Sequence, residues 1–535
     1  MGRKNVVLVV SYMMGVLFPL TAQVPPGFGH GSATNSVTQV LGRPTDHSIT
    51  LNILAKEKDD AWVEFGTNST IYSEKTAIES LMPGIPSEIA LTNLKPDTQY
   101  FYRLNIRPQG MQGVNVGEGA TFHTQRATGG TYTFALQGDS HPERLWKMFD
   151  PALYEQTLRN VAKEQPDFYI TMGDDFSIEK SIERNDLNQA SVNEVYAGQR
   201  PFLGIVGRSS PLFLVNGNHE QAALANLDGT ATNPAVLAGR ARTTYFSLPV
   251  PDEFYTGDAG KIDQVGLPRD YYSWTWGDAL FVVIDFYWHS KVTVDNKPGA
   301  RGHDGGGKGG HGKKWDQDMG LPGAVSSTNV ITSVDALGEL VPPKQQKNTA
   351  GKGGKDRDFW GVTLGEEQYR WLTKTLSESH AKWKFVFCHH VLGTGRGGVE
   401  RASLYEWGGK EQNGEDLFRQ KRPGWDLPIH QLMATYGVTI FFQGHDHIFA
   451  HQGLDGVVYQ SCPNPADPTH TAFNREAYRS GDILPGSGHI KVTVSPKQVD
   501  VDYIKTWLPS DLAAGHTNGE VGFHYSIPSA TPAKP

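Results

Sequence analysis

The sequence predicts a large α/β domain preceded by a smaller all-β sandwich, and three observations carry that reading. Residues 48–124 hold only short runs that alternate apolar and polar side chains between turn residues. Beyond Gly129-Gly130 the pattern changes to strand, helix, strand, the order that builds α/β layers. Within that second part, polar clusters recur in a fixed order, each directly behind an apolar, strand-like run. They are Gly138-Asp139-Ser140-His141, Gly173-Asp174-Asp175, Gly217-Asn218-His219-Glu220, Cys388-His389-His390 and Gly444-His445-Asp446-His447.

At the N-terminus, Arg3 and Lys4 precede a mostly apolar run from Val6 to Leu20, and Thr21-Ala22-Gln23 offers a small residue for cleavage after Ala22. This reads as a signal peptide over 1–22. The expected location is therefore periplasmic or extracellular, with no membrane contact after cleavage. Residues 23–44, rich in Gly, Pro, Ser and Thr, read as a leader or linker. The all-β domain spans 45–128, with strands at Ser48–Ile53, Trp62–Gly66, Glu88–Leu91, Tyr100–Leu104 and Ala120–Thr124. Its segment Leu94-Lys95-Pro96-Asp97-Thr98-Gln99-Tyr100 resembles the corner of fibronectin type III and related sandwiches, where a Tyr hydroxyl bonds back to upstream backbone.

The α/β domain is expected over 130–506. Its strands fall at Thr131–Gln137, Phe168–Met172, Pro211–Val215, Lys384–Cys388 and Val438–Phe442, with hairpins at 271–284 and 490–504. Leu153, Leu158, Val161 and Ala162 have helical spacing, as do Tyr369, Leu372 and Leu376. A Gly-, Lys- and Asp-rich insertion at about 291–357 interrupts the rhythm, and its His303, Asp304 and His311 read as solvated loop residues. Residues 507–535 read as an irregular tail.

Composition narrows the function. A formal net charge of -8 supplies no basic field for nucleic acid or an anionic membrane. Two cysteines, Cys388 and Cys462, exclude a disulfide framework and read as small buried hydrophobes. The polar clusters supply Asp, Asn and His without a thiolate cage, which suits a pair of divalent ions held for hydrolysis better than a structural zinc. One ion is assigned to Asp139, His141, Asp174 and His447, and a second to Asp174, Asn218, His389 and His445. Two ions about 3.5–4 Å apart clamp an attacking hydroxide and a phosphoryl oxygen together. His219 is assigned to the leaving-group oxygen as donor or general acid. Glu220 either orients His219 or caps the next helix. Asp285 and His289, at the end of an apolar strand, are given a structural role.

In combination and order, these clusters resemble the calcineurin-like metallophosphoesterase superfamily. Within it the chain is similar to purple acid phosphatases and their bacterial relatives, which also place a fibronectin-like domain before the catalytic one. The resemblance covers about 45–506 and implies a four-layer α/β/β/α catalytic fold with metals at the strand ends. Val386-Phe387-Cys388-His389 matches the family's Val-x-x-His element, favouring His389 over His390 as ligand. His390 then faces the substrate phosphate or packs nearby. Purple acid phosphatases carry a tyrosine three residues after the bridging Asp, where this chain has Ser177. The implied enzyme is therefore colourless and uses Mn, Zn or ferrous iron.

The expected activity is hydrolysis of a small-molecule phosphomonoester. A phosphodiesterase or nucleotidase on the same site is the near alternative, and a non-catalytic secreted binding protein is the rival from another class. Arg396 is a candidate phosphate contact through paired N–H donors. Tyr405, Trp407 and Arg422 are candidate pocket walls, and Glu143 and Arg144 a local ion pair.

Overall fold

The computed structural model of the protein describes residues 37–292, 294, 358–393 and 395–529. The signal-peptide reading over 1–22, most of the leader and insertion, and His303, Asp304 and His311 lie outside the described residues.

The N-terminal domain is a β-sandwich. Val37–Gly42, Ile49–Ala55 and Ser87–Leu91 form one antiparallel sheet. Asp59–Gly66 and Gln99–Pro108 anchor the other, with short edge strands on both sides. Alternate residues turn inward, so Leu51, Ile53, Val63, Tyr102 and Phe122 share one core. The Tyr100 hydroxyl accepts the Lys95 N–H at 2.8 Å, which makes the fibronectin-like corner. The leader reading is corrected here. Val37–Gly42 is a strand whose Val40 and Leu41 are buried, so the domain starts before residue 45.

The catalytic-size domain has four layers. One sheet runs Leu212–Leu214, Tyr169–Thr171, Tyr132–Gln137, Gly488–Val494, Gln498–Lys505 and Val521–Pro528. Its first three strands are parallel. The second sheet has a parallel centre of Ala279–Val283, Trp383–Phe387, Ile440–Gln443 and Val457–Ser461. An aromatic core fills the space between them. Phe134 stacks on Phe168 at 5.4 Å and meets Phe281 edge-on at 5.2 Å. Helices Pro151–Glu164, Gln189–Gly207 and Pro234–Tyr245 cover one outer face, and Gly365–Glu378 with Ile429–Thr435 the other. None of the described helices is long and apolar enough to cross a membrane.

The tail is also corrected. Val521–Pro528 pairs with Gln498–Lys505, because Phe523, Tyr525 and Ile527 alternate onto the inter-sheet core. Cys388 and Cys462 are free and buried, and burial pushes both thiols up from their ordinary pKa.

The two domains are joined by a fully buried Arg200. Its guanidinium donates to Thr38 Oγ1 (3.0 Å), Asn52 Oδ1 (2.8 Å), Asn52 O (2.9 Å) and Tyr245 O (2.5 Å). Gly204 and Gly207 face the first strand; a Cβ on Gly207 would meet Val40 Cγ1 at 3.1 Å, so their bareness lets helix and strand approach.

Candidate metal centre

Every predicted cluster sits where a parallel strand ends. Gln137, Thr171 and Leu214 close three strands of one sheet, and the chain then turns into Asp139, Asp174 and Asn218. Phe387 and Gln443 close two strands of the other, leading into His389 and His445. Both sheets present their carboxyl ends at one place, the usual site for ligands in parallel sheets.

There the seven predicted ligands converge, all buried. Asp174 is central: its Oδ2 lies 3.2 Å from His389 Nε2 and 3.7 Å from His141 Nε2. Asp139 Oδ2 lies 3.1 Å from His447 Nε2 and has no hydrogen-bond partner. Asn218 Oδ1 and His445 Nδ1 approach His389 Nε2 at 3.1 Å and 3.3 Å. His141 Nε2 faces His447 Nε2 at 3.0 Å. Asp139, Asp174, His389 and His445 offer ligand atoms within 4.8 Å of one another, as do Asp139, His141 and His447.

These residues fit a pair of cations. Nitrogen faces nitrogen twice, each pair able to share a single proton, and a buried carboxylate oxygen of Asp139 accepts nothing. Cations between them would use every one of those lone pairs. Three of the four ligand imidazoles, His141, His445 and His447, are held below their ordinary pKa, while against burial Asp174 and then Asp139 push His389 up to about 10. Burial, then Arg144 and His447, hold His141 well below its ordinary pKa. Burial, then His390 and Arg396, do the same for His445, and neutral imidazole is the ligating form. Asp174 goes the other way: burial opposes ionisation, but His389 and then His219 hold its carboxyl well below the usual range.

The loops holding these groups are strained. His141, Asp174, His445 and His447 all have left-handed backbones, with φ of 50°, 60°, 65° and 61°. Each such residue costs on the order of 1 kcal/mol and persists only where surroundings impose it. Close backbone approach is one such constraint. A Cβ on Gly173 would sit 2.5 Å from Gly217 N, and one on Gly444 2.6 Å from Asp139 Oδ1.

Glu220 is the largest constraint, and sequence reasoning missed its role. Its buried carboxylate accepts Gly217 N (2.7 Å), Asp174 N (2.9 Å), Asp175 N (2.8 Å) and Phe176 N (3.2 Å). It neither caps a following helix nor orients His219. It clamps the Asp174 loop to the Asn218 loop. The remaining oxygens of the two aspartates are fixed by backbone: Asp174 Oδ1 accepts His219 N and Asp139 Oδ1 accepts His445 N, both at 2.7 Å. His389 Nδ1 is fixed by Met172 O at 2.7 Å.

Around the ligands, His219 Nε2 lies 3.8 Å from Asp174 Oδ2 and 3.0 Å from Arg144 Nη2, while its Nδ1 is 3.1 Å from Glu179 Oε1. Arg144 and Glu143 do pair, at 3.3 Å, but each also serves the site, since Glu143 Oε1 pairs with His141 Nδ1 at 2.9 Å. His390 stands one step back, with Nε2 2.9 Å from the Tyr287 hydroxyl and its ring 4.2 Å from that of His445. Arg396 Nη1 donates to His445 O at 2.5 Å, so that nitrogen braces the loop. Asp446 ties the same loop to Gly397 N at 2.9 Å and to the Tyr478 hydroxyl. Ser177 Oγ accepts Glu179 N at 3.4 Å.

The pocket-wall reading of Tyr405, Trp407 and Arg422 is overturned. Trp407 is fully buried and donates to Tyr459 Oη, and Arg422 is spent on Glu406 and Trp360 O. Tyr405 and Trp407 belong to the outer helical layer, because their short helix packs against the second sheet, while Arg422 lines a cavity beside Trp360 and Glu366.

The family model for calcineurin-like phosphoesterase matches residues 132–449. No curated protein matches the chain. Among solved structures, PhoD aligns with a TM-score of 0.54 at 13% identity, over 88% of this chain and 86% of that one. The purple acid phosphatase PPD1 from yellow lupin (Lupinus luteus) seeds gives a TM-score of 0.50 at 15% identity, over 92% of this chain and 74% of that one. At these identities the two likenesses speak for the fold.

Proposed function

This chain belongs to the calcineurin-like phosphoesterase family and is a metal-dependent phosphoester hydrolase, and from that premise we propose that it is an exported phosphomonoesterase working at a binuclear centre. The observation that carries the reading is the convergence of seven buried, metal-ligating side chains from the strand ends of both sheets, one carboxylate oxygen among them unpartnered. Asp139, His141, Asp174 and His447 would hold one ion, and Asp174, Asn218, His389 and His445 the other. When bound, such ions offset the charge of the phosphate and make hydroxide available near neutral pH.

The chain's own residues supply the rest. Asp174 would be the shared ligand, because its Oδ2 is near imidazoles of both sets. His219 reaches over Asp174 with its Nε2 accepting an N–H of Arg144, and it would serve the departing oxygen as donor once bound phosphate takes that guanidinium. Arg144, half-buried beside His219, and Arg396 beside His445 put positive charge on two sides of the centre. That suits a terminal phosphate dianion, the feature separating a monoester from a diester. Arg3, Lys4 and the apolar run to Leu20 support export.

The test is hydrolysis of an aryl phosphate monoester and the matching diester by metal-supplemented protein, wild type beside Asp174→Asn. The monoester should turn over faster, and the variant should turn over neither. A faster diester would replace the substrate assignment with phosphodiesterase. Undiminished turnover in Asp174→Asn would refute the shared-ligand role. No turnover with Mn or Zn, and no bound metal, would leave a binding protein.

A further inference from the structure

A second group of metal-ligating side chains lies outside the catalytic loops. Asp258 follows the short strand Thr256–Gly257, Asp270 precedes Tyr272–Trp276, and His289 lies beyond Ala279–Val283. One donor atom from each lies within 4.8 Å of the other two. Asp270 is fully buried and Asp258 nearly so. Asp270 Oδ2 sits 2.7 Å from His289 Nε2, while its Oδ1 is buried without a hydrogen-bond partner. Asp258 Oδ1 accepts Gly260 N at 2.7 Å. Among the described residues, no lysine or arginine pairs with either carboxylate.

His289 supplies one positive charge here, since against burial Asp270 and then Asp285 push its imidazole up to about 9, and the carboxylates around it outnumber that charge. Asp285 stands nearby, but its oxygens are engaged, Oδ1 by Trp288 N at 2.9 Å and Oδ2 by Asn216 Nδ2 at 3.0 Å. It adds negative potential without supplying a counter-charge. Buried carboxylates are retained where they are paired or coordinate an ion. The His289–Asp270 approach repeats the pattern of the catalytic ligands, where His447 and Asp139 stand 3.1 Å apart.

We propose that Asp258, Asp270 and His289 form a separate binding site for one divalent cation of the Zn or Mn class. One imidazole with two carboxylates favours such an ion over calcium, which takes six to eight oxygens. The ion would pin the 258–270 segment to the end of the second sheet. The two centres share a wall but no ligand: Asn216, which donates to Asp285, is two residues from Asn218. Of the three, His289 also lines a 410 Å³ cavity, together with Lys291, Thr363 and Glu366 among the described residues. The competing arrangement is a proton in place of the ion. Burial, then Asp270, push Asp258 up to about 7, so a shared proton is chemically available.

The experiment strips the full chain with a chelator, dialyses it against Zn²⁺ or Mn²⁺, and counts metal per chain in wild type, Asp270→Asn and Asp258→Asn. Each variant should hold about one equivalent fewer than wild type, and the metal should raise its unfolding temperature less. Should one variant fold poorly, the other gives the same reading. Equal stoichiometry in wild type and a folded variant overturns the proposal in favour of the shared proton. The catalytic reading is judged separately. Loss of about one equivalent in Asp270→Asn from a wild type holding only about one would sustain this site and sink the binuclear centre.

Discussion

Replacing Glu220 with Gln tests whether the metal centre is held ready by its backbone clamp. In the wild type, two backbone N–H groups point at each carboxylate oxygen, Gly217 and Asp174 at Oε2 and Asp175 and Phe176 at Oε1. Glutamine keeps one oxygen and sets an NH₂ donor against the other pair of donors. Two hydrogen bonds to a charged acceptor are lost, at about 1.5–3 kcal/mol each, so the clamp weakens by about 3–6 kcal/mol before relaxation. If half of that falls on the arrangement competent to bind metal, affinity drops roughly 10- to 150-fold. Chelator competition with Zn²⁺ or Mn²⁺ measures this directly, and turnover of an aryl phosphate at saturating metal shows what remains of the geometry. The predicted result is weaker metal binding with much of the turnover recovered at high metal. A folded Glu220→Gln protein with affinity within about threefold of wild type would refute the clamp. Unchanged affinity with a loss confined to poor leaving groups would return Glu220 to a role through His219.

Three further outcomes follow from single side chains. His219→Ala should slow an alkyl phosphate by about 10²-fold and an activated aryl phosphate much less, because only the former needs its departing oxygen assisted; equal losses would remove His219 from that role. Arg200→Met should lower the unfolding temperature and separate a sandwich transition in calorimetry, since it strands the acceptors on Thr38, Asn52 and Tyr245 at about 1–3 kcal/mol each, partly offset by removing a buried charge. Burial raises Glu406 to about 7 against the pull of Arg422. The folded state then binds the extra proton between about 4.5 and 7, so stability should fall by about 3 kcal/mol as pH rises through that window and level off above it. Glu406→Gln should show a pH slope smaller than wild type by about that amount over the same range, and an identical pH slope in both proteins would discard the assignment.

What the sequence revealed and what it hid follow one physical division. Ligand residues were legible because each combines two local signals, a buried strand and a polar turn behind it, and the strand end fixes where the turn must point. Asp139, Asp174, Asn218, His389 and His445 needed no knowledge of partners to be found. Glu220 carries the same local signature as a helix cap; its role appears only when the Asp174 loop, more than forty residues earlier, is folded against it. Trp407 erred the other way, as a site-like residue type near a site in sequence but turned into the outer helical core. Helix Gln189–Gly207 shows the same division in the fold. Gly198, Pro201, Gly204 and Gly207 weaken its local helical signal, yet two of those glycines are what let the first strand of the sandwich pack against it. Val521–Pro528 alternates Phe, Tyr and Ile in plain view, but an edge strand of that kind is defined by the neighbour it pairs with, Gln498–Lys505. Local pattern thus located the chemistry at the strand ends. The clamp and the interdomain joint that hold that chemistry in register are long-range, so they were invisible until the loops met.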